Sequence, residues 1–197
     1  HSAPLKAYSN YQIKSNFNYV LELTKPYKDQ HEGYSKNLKR NLKKAKANGL
    51  QLFKNDAPKN LIDLFRHDKG RSIAHFSEHD YKNLEYIMHV AMNKHCGQIL
   101  MAYDEGNRAV AGCFLLFSSN RVILLFTGNS NEGKECAAMP FLIDEFIKTA
   151  ANSSFVLDFE GSNDKNLARF YKSFGAENQS YQNLKINRLP LLLRFFK

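Results

Sequence analysis

The sequence predicts a mixed α/β (α+β) fold in which helices cover both faces of a twisted, mostly antiparallel sheet. Three apolar runs, at residues 98–103, 109–117 and 121–127, are separated by the turn-forming stretches DEGN and SSN. This pattern predicts an antiparallel meander of three strands. Helical periodicity precedes and follows the meander, and near the C-terminus a buried strand leads directly into a helix.

The composition is that of a globular protein. The chain has 197 residues, of which 43% are hydrophobic and 24% are charged. A chain of this length can bury a core without the help of a disulfide or cofactor. Lysine and arginine number 28 against 19 acidic residues, which gives a net charge of +9. Such a charge favours acidic partners, among them phosphates, nucleotide sugars, coenzyme A, RNA and anionic lipid, without selecting one.

Several kinds of site and location are disfavoured. The three cysteines are widely spaced. Among the histidines, only His75 and His79 lie at i, i+4, and a predicted turn separates them, so we assign no metal site. No apolar run approaches the roughly 20 residues that span a bilayer, and the first residues lack the apolar core of a signal peptide. The cysteine spacing favours reduced, mostly buried thiols, which fit a cytoplasmic protein.

The N-terminal half contains one clearly marked helix. In residues 35–48, Leu38, Leu42 and Ala45 recur at i, i+4 and i+7, and Ser35 is a suitable N-cap. The other expected elements are strands and helices in this order: one or two strands in 11–23, a strand at 50–54, helices near 58–71 and 78–94, the meander, a helix near 137–151, a strand at 155–159, a helix at 163–174 and a strand near 180–187.

A ligand site is predicted in residues 155–176, FVLDFEGSNDKNLARFYKSFGA. The apolar strand ends in the acidic and small residues Asp158, Glu160, Gly161 and Ser162, and a helix follows. In open α/β sheets, ligands bind in the crevice beyond the carboxyl ends of strands. Glycine at such a junction lets the backbone approach a ligand closely.

The same stretch resembles a known family. Its helix carries an N-x4-A-x-F-Y-x3-G arrangement formed by Asn163, Ala168, Phe170, Tyr171 and Gly175. This arrangement resembles the strand-then-helix end of the GNAT acyltransferase superfamily. The D-F-x-G-S motif at 158–162 and the basic helix near the start look like the second domain of FemAB-like aminoacyltransferases, which add amino acids to the peptide of a cell-wall precursor. The resemblance covers roughly residues 25–190.

This resemblance implies a GNAT fold whose fourth and fifth strands, here 122–127 and 155–159, splay apart to hold the acyl donor. It also implies that Tyr171 protonates the leaving thiolate, a role that suits a phenol with a pKa near 10. The alternative is that Tyr171 only packs beside Phe170 and Phe174.

Asp158 and Glu160 are the other candidate catalytic residues. Strand alternation places both on one face, where either could accept a proton from an attacking amine or orient it. The alternative is a structural role, in which the two carboxylates cap the following helix or pair with Lys165 or Arg169.

The donor site is expected at the end of the meander and the loop after it. Backbone N–H groups there would polarise the acyl carbonyl, and the loop precedes a helix whose N-terminus attracts phosphate. The candidate donor-binding residues are Phe126, Thr127, Gly128, Asn129, Gly133, Lys134, Asn163 and Ala168.

The identity of the donor stays open between two classes. The GNAT pyrophosphate loop, Q/R-x-x-G-x-G/A, is not present here, which counts against a conventional site for acetyl-CoA or another acyl-CoA. FemAB-like enzymes also lack this loop, because their donor resembles an aminoacyl-tRNA. Those enzymes often carry lysine at the place of Tyr171, so this sequence falls between the two groups.

The basic helix is the expected contact for an anionic substrate. It carries six cations, at Lys36, Lys39, Arg40, Lys43, Lys44 and Lys46. The resemblance selects Arg40, and Lys172 is a further candidate. For most of these lysines the alternative is a solvated surface that only confers solubility.

These observations lead to one hypothesis and one rival. The hypothesis is an acyltransferase that moves an acyl or aminoacyl group to a primary amine of a small molecule or peptide, with tRNA as one candidate donor and a homodimer as one candidate assembly. Residues 1–24 are interpreted as leading strands, the remnant of a preceding domain, and residues 25–197 as the acyltransferase domain. The rival is a catalytically inactive module on the same scaffold that binds RNA or another polyanion.

Overall fold

A computed structural model describes residues 11–68, 76–161 and 163–186. The strands are β1 (Tyr11–Glu22), β2 (Gln51–Lys54), β3 (Gly97–Tyr103), β4 (Ala109–Ser118), β5 (Arg121–Asn129), β6 (Val156–Gly161) and β7 (Glu177–Ile186). The helices are α1 (Tyr27–Glu32), α2 (Lys36–Ala47), α3 (Pro58–His67), α4 (Glu78–Asn93), α5 (Asn131–Glu135), α6 (Ala138–Ala150) and α7 (Lys165–Lys172).

The strands form one seven-stranded sheet in the order β2-β3-β4-β5-β6-β1-β7. The predicted meander is confirmed, because β3 pairs with β4 and β4 with β5, both antiparallel. Among the described strands, only β5 and β6 pair in parallel. The predicted mixed, mostly antiparallel sheet is thus confirmed.

Two hydrophobic cores lie on opposite faces of the sheet. Along β3, Leu100 and Ala102 belong to one core, which also contains buried residues of α2 and α6. Ile99 and Met101 belong to the other, together with residues of α3 and α4. Successive side chains of a strand point to opposite faces, so the helices cover both faces, as predicted.

Strand β1 joins β7 to the rest of the sheet. It pairs antiparallel with β6 through its C-terminal half, from Asn18 to Glu22, and with β7 from Tyr11 to Val20. The sequence predicts one or two short strands in residues 11–23, and the structure has a single long strand inside the sheet, Tyr11–Glu22.

N-cap residues determine where helices α2 and α7 begin, and only the start of α2 agrees with the prediction. The side chain of Ser35 caps α2 as predicted, because its Oγ accepts a hydrogen bond from the N–H of Leu38 at 3.2 Å. The start of α7 was predicted at Asn163, which is wrong. Asp164 caps this helix instead, with Oδ1 accepting from Asn166 and Leu167 at 2.7 and 3.0 Å.

Two short helices, α1 and α5, were not predicted. They have six and five residues, too few to show an apolar periodicity. Helix α3 ends at His67 rather than near 71, and positions 69–71 lie outside the described residues. Position 187, the predicted end of the last strand, also lies outside them. None of the described helices is long and apolar enough to cross a bilayer.

Candidate functional site

Strands β5 and β6 share only a short stretch of pairing. Their register consists of Arg121 with Val156, Val122 with Leu157, and Ile123 with Asp158. Beyond this point β5 continues along β4 to Asn129, while β6 continues along β1 to Gly161. The two strands therefore diverge, and the predicted splay of the central strands is confirmed.

A pocket of about 350 Å³ lies beside this opening, which we call the wedge pocket. It is on the face covered by α2, α6 and α7. Six segments form its wall. They are α2 (Asn41, Lys44), the C-cap of α3 (Asp68), β5 (Leu124, Thr127, Asn129), α5 (Gly133, Lys134, Glu135), the start of α6 (Ala137, Met139, Pro140) and α7 (Leu167, Phe170, Tyr171).

Tyr171 forms part of this wall and is held by aromatic contacts. Its ring stacks on Phe159 of β6, with centroids 4.8 Å apart, and lies 6.1 Å from the ring of Tyr19. Burial raises the pKa of Tyr171 above its usual value, and the nearby carboxylates Glu160 and Asp164 raise it further. The phenol is therefore protonated at neutral pH.

The start of α6 also faces the wedge pocket. Its N-cap, Ala137, has φ 60° and ψ 40°, and no side chain of the described residues caps this end. The first N–H groups of a helix have no partner within the helix and carry the positive end of its dipole. The wall therefore has partial positive charge that a carbonyl oxygen or a phosphate can use.

Of the residues predicted from the loop, Lys134 has an ion-pair partner. Its Nζ lies 2.6 Å from Oδ1 of Asp68. Gly133 is buried, and a Cβ at this position would lie 2.1 Å from the carbonyl oxygen of Val110. Gly133 thus lets α5 pack closely against β4. The Lys134 ammonium is neutralised by Asp68 at the rim of the pocket.

Asn129 lines the wedge pocket and was predicted as a donor-binding residue. Its Oδ1 is buried and has no hydrogen-bond partner among the described residues. A Cβ on Gly133 would lie 2.4 Å from this Oδ1, so the atom packs against α5 and is closed to solvent.

Phe126 and Gly128 lie on the other face of β5. The Phe126 ring packs against Phe65 of α3, with centroids 4.6 Å apart. A Cβ on Gly128 would lie 3.0 Å from the backbone nitrogen of Phe65. Phe126 and Gly128 therefore face α3, whereas Thr127, which lies between them, lines the wedge pocket.

Asp158 and Glu160 occupy different environments, contrary to the expectation from strand alternation. The pairing of β6 with β1 shifts register between Asp158 and Gly161, and Glu160, which lies between them, has φ 61°, so a bulge interrupts the alternation. Asp158 is buried, forms an ion pair with Arg121, and accepts a hydrogen bond from the N–H of Glu160 at 2.8 Å. Glu160 is exposed, and its pKa is raised by partial burial and by Asp158.

Asn163 and Ala168 lie outside the wedge-pocket wall. The Asn163 Oδ1 accepts from the N–H of Phe17 at 3.3 Å, and its Nδ2 donates to Asn16 at 2.9 Å, which ties the start of α7 to β1. Ala168 is half-buried against the core.

The two predicted substrate-binding cations also lie outside this wall. Arg40 is exposed and donates to Oδ1 of Asn37 at 2.7 Å. Lys172 is exposed, with Nζ 5.7 Å from the centre of the Tyr19 ring.

Several wall residues were not predicted from the sequence. These are Asn41, Lys44, Leu124, Met139, Pro140 and Leu167. Lys44 belongs to the basic helix, so its charge could have indicated from the sequence that it contacts an anionic ligand. The others resemble ordinary core or surface positions, and only the packing of α2, α6 and α7 brings them together.

Comparison with known proteins identifies the family. A family model described as an acetyltransferase (GNAT) domain matches residues 33–173. No curated protein is a significant match. Among solved structures, "Crystal structure of FemX" aligns with a TM-score of 0.72 at 12% identity, covering 91% of this chain and 63% of that one.

Two further solved structures share the fold. The C-terminal domain of a putative lysylphosphatidylglycerol synthetase from Agrobacterium fabrum has a TM-score of 0.59 at 10% identity, covering 90% of this chain and 62% of that one. L-PGS from Bacillus licheniformis has a TM-score of 0.58 at 11% identity, covering 95% and 65%. This chain thus spans about two thirds or less of the length of each. Because the family model matches more than half of the chain, the chain belongs to the GNAT acetyltransferase family, and its fold is FemAB-like.

Proposed function

We propose that this protein transfers an acyl or aminoacyl group from a thioester or ester donor to a primary amine, and that the reaction takes place in the wedge pocket. The observation that carries the proposal is the position of Tyr171 in the wall of a pocket that opens where β5 and β6 stop pairing. Membership of the GNAT family supports acyl transfer in general.

The acyl carbonyl would lie against β5 near Thr127. Backbone N–H groups that β6 no longer pairs, together with the uncapped start of α6, would stabilise the negative charge that develops on the carbonyl oxygen. The amine attacks directly, so no covalent intermediate on the enzyme is required.

Tyr171 acts as the general acid that protonates the leaving group. A general acid must hold its proton at the working pH, and the raised pKa of this phenol meets that condition. The stacking on Phe159 fixes the ring and so defines the direction of the hydroxyl.

Glu160 is the candidate that accepts a proton from the amine. Its raised pKa makes it a stronger base than an ordinary carboxylate, and it is close enough to Tyr171 to raise the pKa of the phenol. Asp158 is already engaged by Arg121 and by the N–H of Glu160, so we assign it a positioning role.

The test compares Tyr171→Phe with Tyr86→Phe, a tyrosine that is 70% exposed on α4 and outside the wedge-pocket wall. Each protein is assayed with acetyl-CoA, longer acyl-CoAs and an aminoacyl-RNA mimic as donors, and with a panel of primary amines as acceptors. We expect Tyr171→Phe to lose about 10²-fold to 10⁴-fold in kcat, the usual contribution of a general acid, and Tyr86→Phe to lose none.

Two results would contradict the proposal. One is a Tyr171→Phe variant that transfers acyl groups at the wild-type rate. The other is a wild-type protein that is inactive with every donor but binds RNA with an affinity that falls steeply with salt. The second result would favour the rival function of a polyanion-binding module, for which the six cations of α2 are the supporting observation.

A further inference from the structure

A second cavity lies between α2 and α7, and we call it the α2–α7 groove. Its volume is about 600 Å³, larger than that of the wedge pocket. The polar and aromatic residues that matter here are Asn37, Asn41, Asn166, Arg169, Phe170 and Lys172. The groove wall thus combines amides, two cations and one aromatic ring with Ser35, Leu38 and Ser173.

The groove adjoins the wedge pocket. Asn41 of α2 and Phe170 of α7 line both cavities. A ligand too long for the wedge pocket can thus continue past these two residues into the groove without leaving the protein surface.

The charges of the groove are all of one sign. Its lining contains no carboxylate, and within the described ranges Arg169 and Lys172 have no ion-pair partner. In the wedge pocket, by contrast, Lys134 is paired with Asp68. Cations that are not neutralised by the protein remain available to an anionic ligand.

The two helices are held in a fixed relation. The N–H of Ser35, at the start of α2, donates to the carbonyl of Ser173, at the end of α7, at 2.9 Å. Phe170 is half-buried and packs edge-on against Phe174, with centroids 5.3 Å apart. The groove is preformed, which lowers the entropic cost of binding.

We propose that the α2–α7 groove binds the phosphate-bearing nucleotide end of the donor while the acyl group occupies the wedge pocket. The Arg169 guanidinium and the Lys172 ammonium contact phosphate, and Phe170 offers apolar surface to a base. This assignment rests on the proposed function. The shared chemistry, an adenosine nucleotide with phosphates, is found at the end of coenzyme A and at the 3′ end of an RNA.

The experiment measures binding rather than turnover. Adenosine 3′,5′-bisphosphate and an RNA stem with a single-stranded CCA end are titrated separately into the wild type and into two variants, by calorimetry or fluorescence. The test variant is Arg169→Gln/Lys172→Gln. The control variant, Lys82→Gln/Lys94→Gln, removes the same charge from exposed positions of α4 and its C-cap, on the opposite face of the sheet. Thermal unfolding of each variant checks that it is folded.

We expect the wild type to bind at least one of the two probes. The test variant should weaken that binding by about tenfold for each lost phosphate contact, and the control should leave it unchanged. Whichever probe binds identifies the source of the nucleotide. A wild type that binds a probe but transfers no acyl group would support this inference while contradicting the proposed function.

Three results would overturn the inference. In the first, neither probe binds. In the second, both charge variants weaken binding equally, which would mean that only the net charge attracts the ligand. In the third, the test variant lowers the unfolding temperature but leaves binding unchanged, which would mean that Arg169 and Lys172 only complement the C-terminal end of α7.

Discussion

The ion pair between Arg121 and Asp158 holds the two strands together at the point where they begin to diverge. Asp158 is the last residue of β6 that pairs with β5, and Arg121 is the first residue of β5. The same carboxylate accepts the N–H of Glu160, whose φ is 61°. One buried side chain therefore fixes both the base of the wedge and the bulge that follows it.

We expect Arg121→Met to destabilise the protein. It leaves the buried Asp158 carboxylate without its cation, which costs about 1–3 kcal/mol of unfolding free energy for a partly exposed pair. Denaturant unfolding measures this loss. Arg108→Met is the control, because Arg108 forms its ion pair with Asp104 on the surface, where removal costs under about 1 kcal/mol. Equal effects of the two variants would contradict a special role for Asp158.

A second buried carboxylate, Asp144 of α6, makes stability depend on pH. It accepts hydrogen bonds from the Tyr27 hydroxyl at 3.1 and 3.0 Å. Burial nevertheless raises its pKa above the usual 3.8. Because the pKa is raised, the folded state binds a proton on Asp144 more tightly than the unfolded state does. The free energy of unfolding that this group contributes therefore rises as pH falls towards the usual carboxyl range, and it falls as pH rises.

Asp144→Asn should therefore be more stable than the wild type at neutral pH. Its advantage should shrink as pH falls towards 4, where the wild-type carboxyl also becomes neutral. Unfolding free energies measured between pH 4 and 7 provide the test, with Glu105→Gln, at an exposed turn position, as the control. An advantage that grows as pH falls would contradict the assignment of a raised pKa.

At the scale of elements, the contact between β5 and α3 determines which side of β5 faces the wedge pocket. Gly128 lets the α3 backbone approach, and Phe126 packs on the same face, so Thr127 is turned towards the pocket. The position of α3 thus orients a strand whose opposite face forms the site.

We expect Gly128→Ala to cost about 1–3 kcal/mol of unfolding free energy, because its Cβ would lie 3.0 Å from the Phe65 nitrogen and 3.2 Å from the Leu61 oxygen, both backbone atoms. Gly106→Ala is the matched control, since its nearest atom is a side-chain oxygen at 3.3 Å in an exposed turn. Denaturant unfolding compares the two. A neutral Gly128→Ala would show that α3 can move away freely.

At the scale of the whole molecule, β1 makes the N-terminal segment part of the domain. Tyr19, Val20, Leu21 and Leu23 are all buried. The strand also separates β6 from β7, so without it β7 would have no partner in the sheet. We propose that the domain begins with β1 rather than at residue 25.

A chain shortened to begin at residue 25 should therefore fail to fold cooperatively. It loses four large buried side chains, each contributing about 1.5–3 kcal/mol, against a typical total stability of 5–15 kcal/mol. Thermal unfolding followed by circular dichroism tests this, and a chain that begins at residue 11 is the control. Cooperative unfolding of the shorter chain would support the boundary at residue 25.

Much of the fold could be predicted because sequence patterns between neighbouring residues specify its strands and helices. The meander is marked by apolar runs between turn residues, and α2 by its periodicity and its Ser35 cap. The Phe170–Tyr171 pair was singled out only because its motif resembles that of a known family, and it does line the wedge pocket. Local patterns gave wrong predictions at two places. A bulge at Glu160 breaks the strand alternation, and Asp164 rather than Asn163 determines the start of α7.

The sequence by itself determined the order and type of the principal elements, because apolar periodicity and turn chemistry act between residues that are close along the chain. Only the tertiary structure decided where β5 and β6 part, which side of β5 faces α3, and which residues of α2, α6 and α7 enclose the wedge pocket. These features depend on contacts between residues far apart in sequence, such as Arg121 with Asp158 and Ser35 with Ser173, for which no local pattern exists.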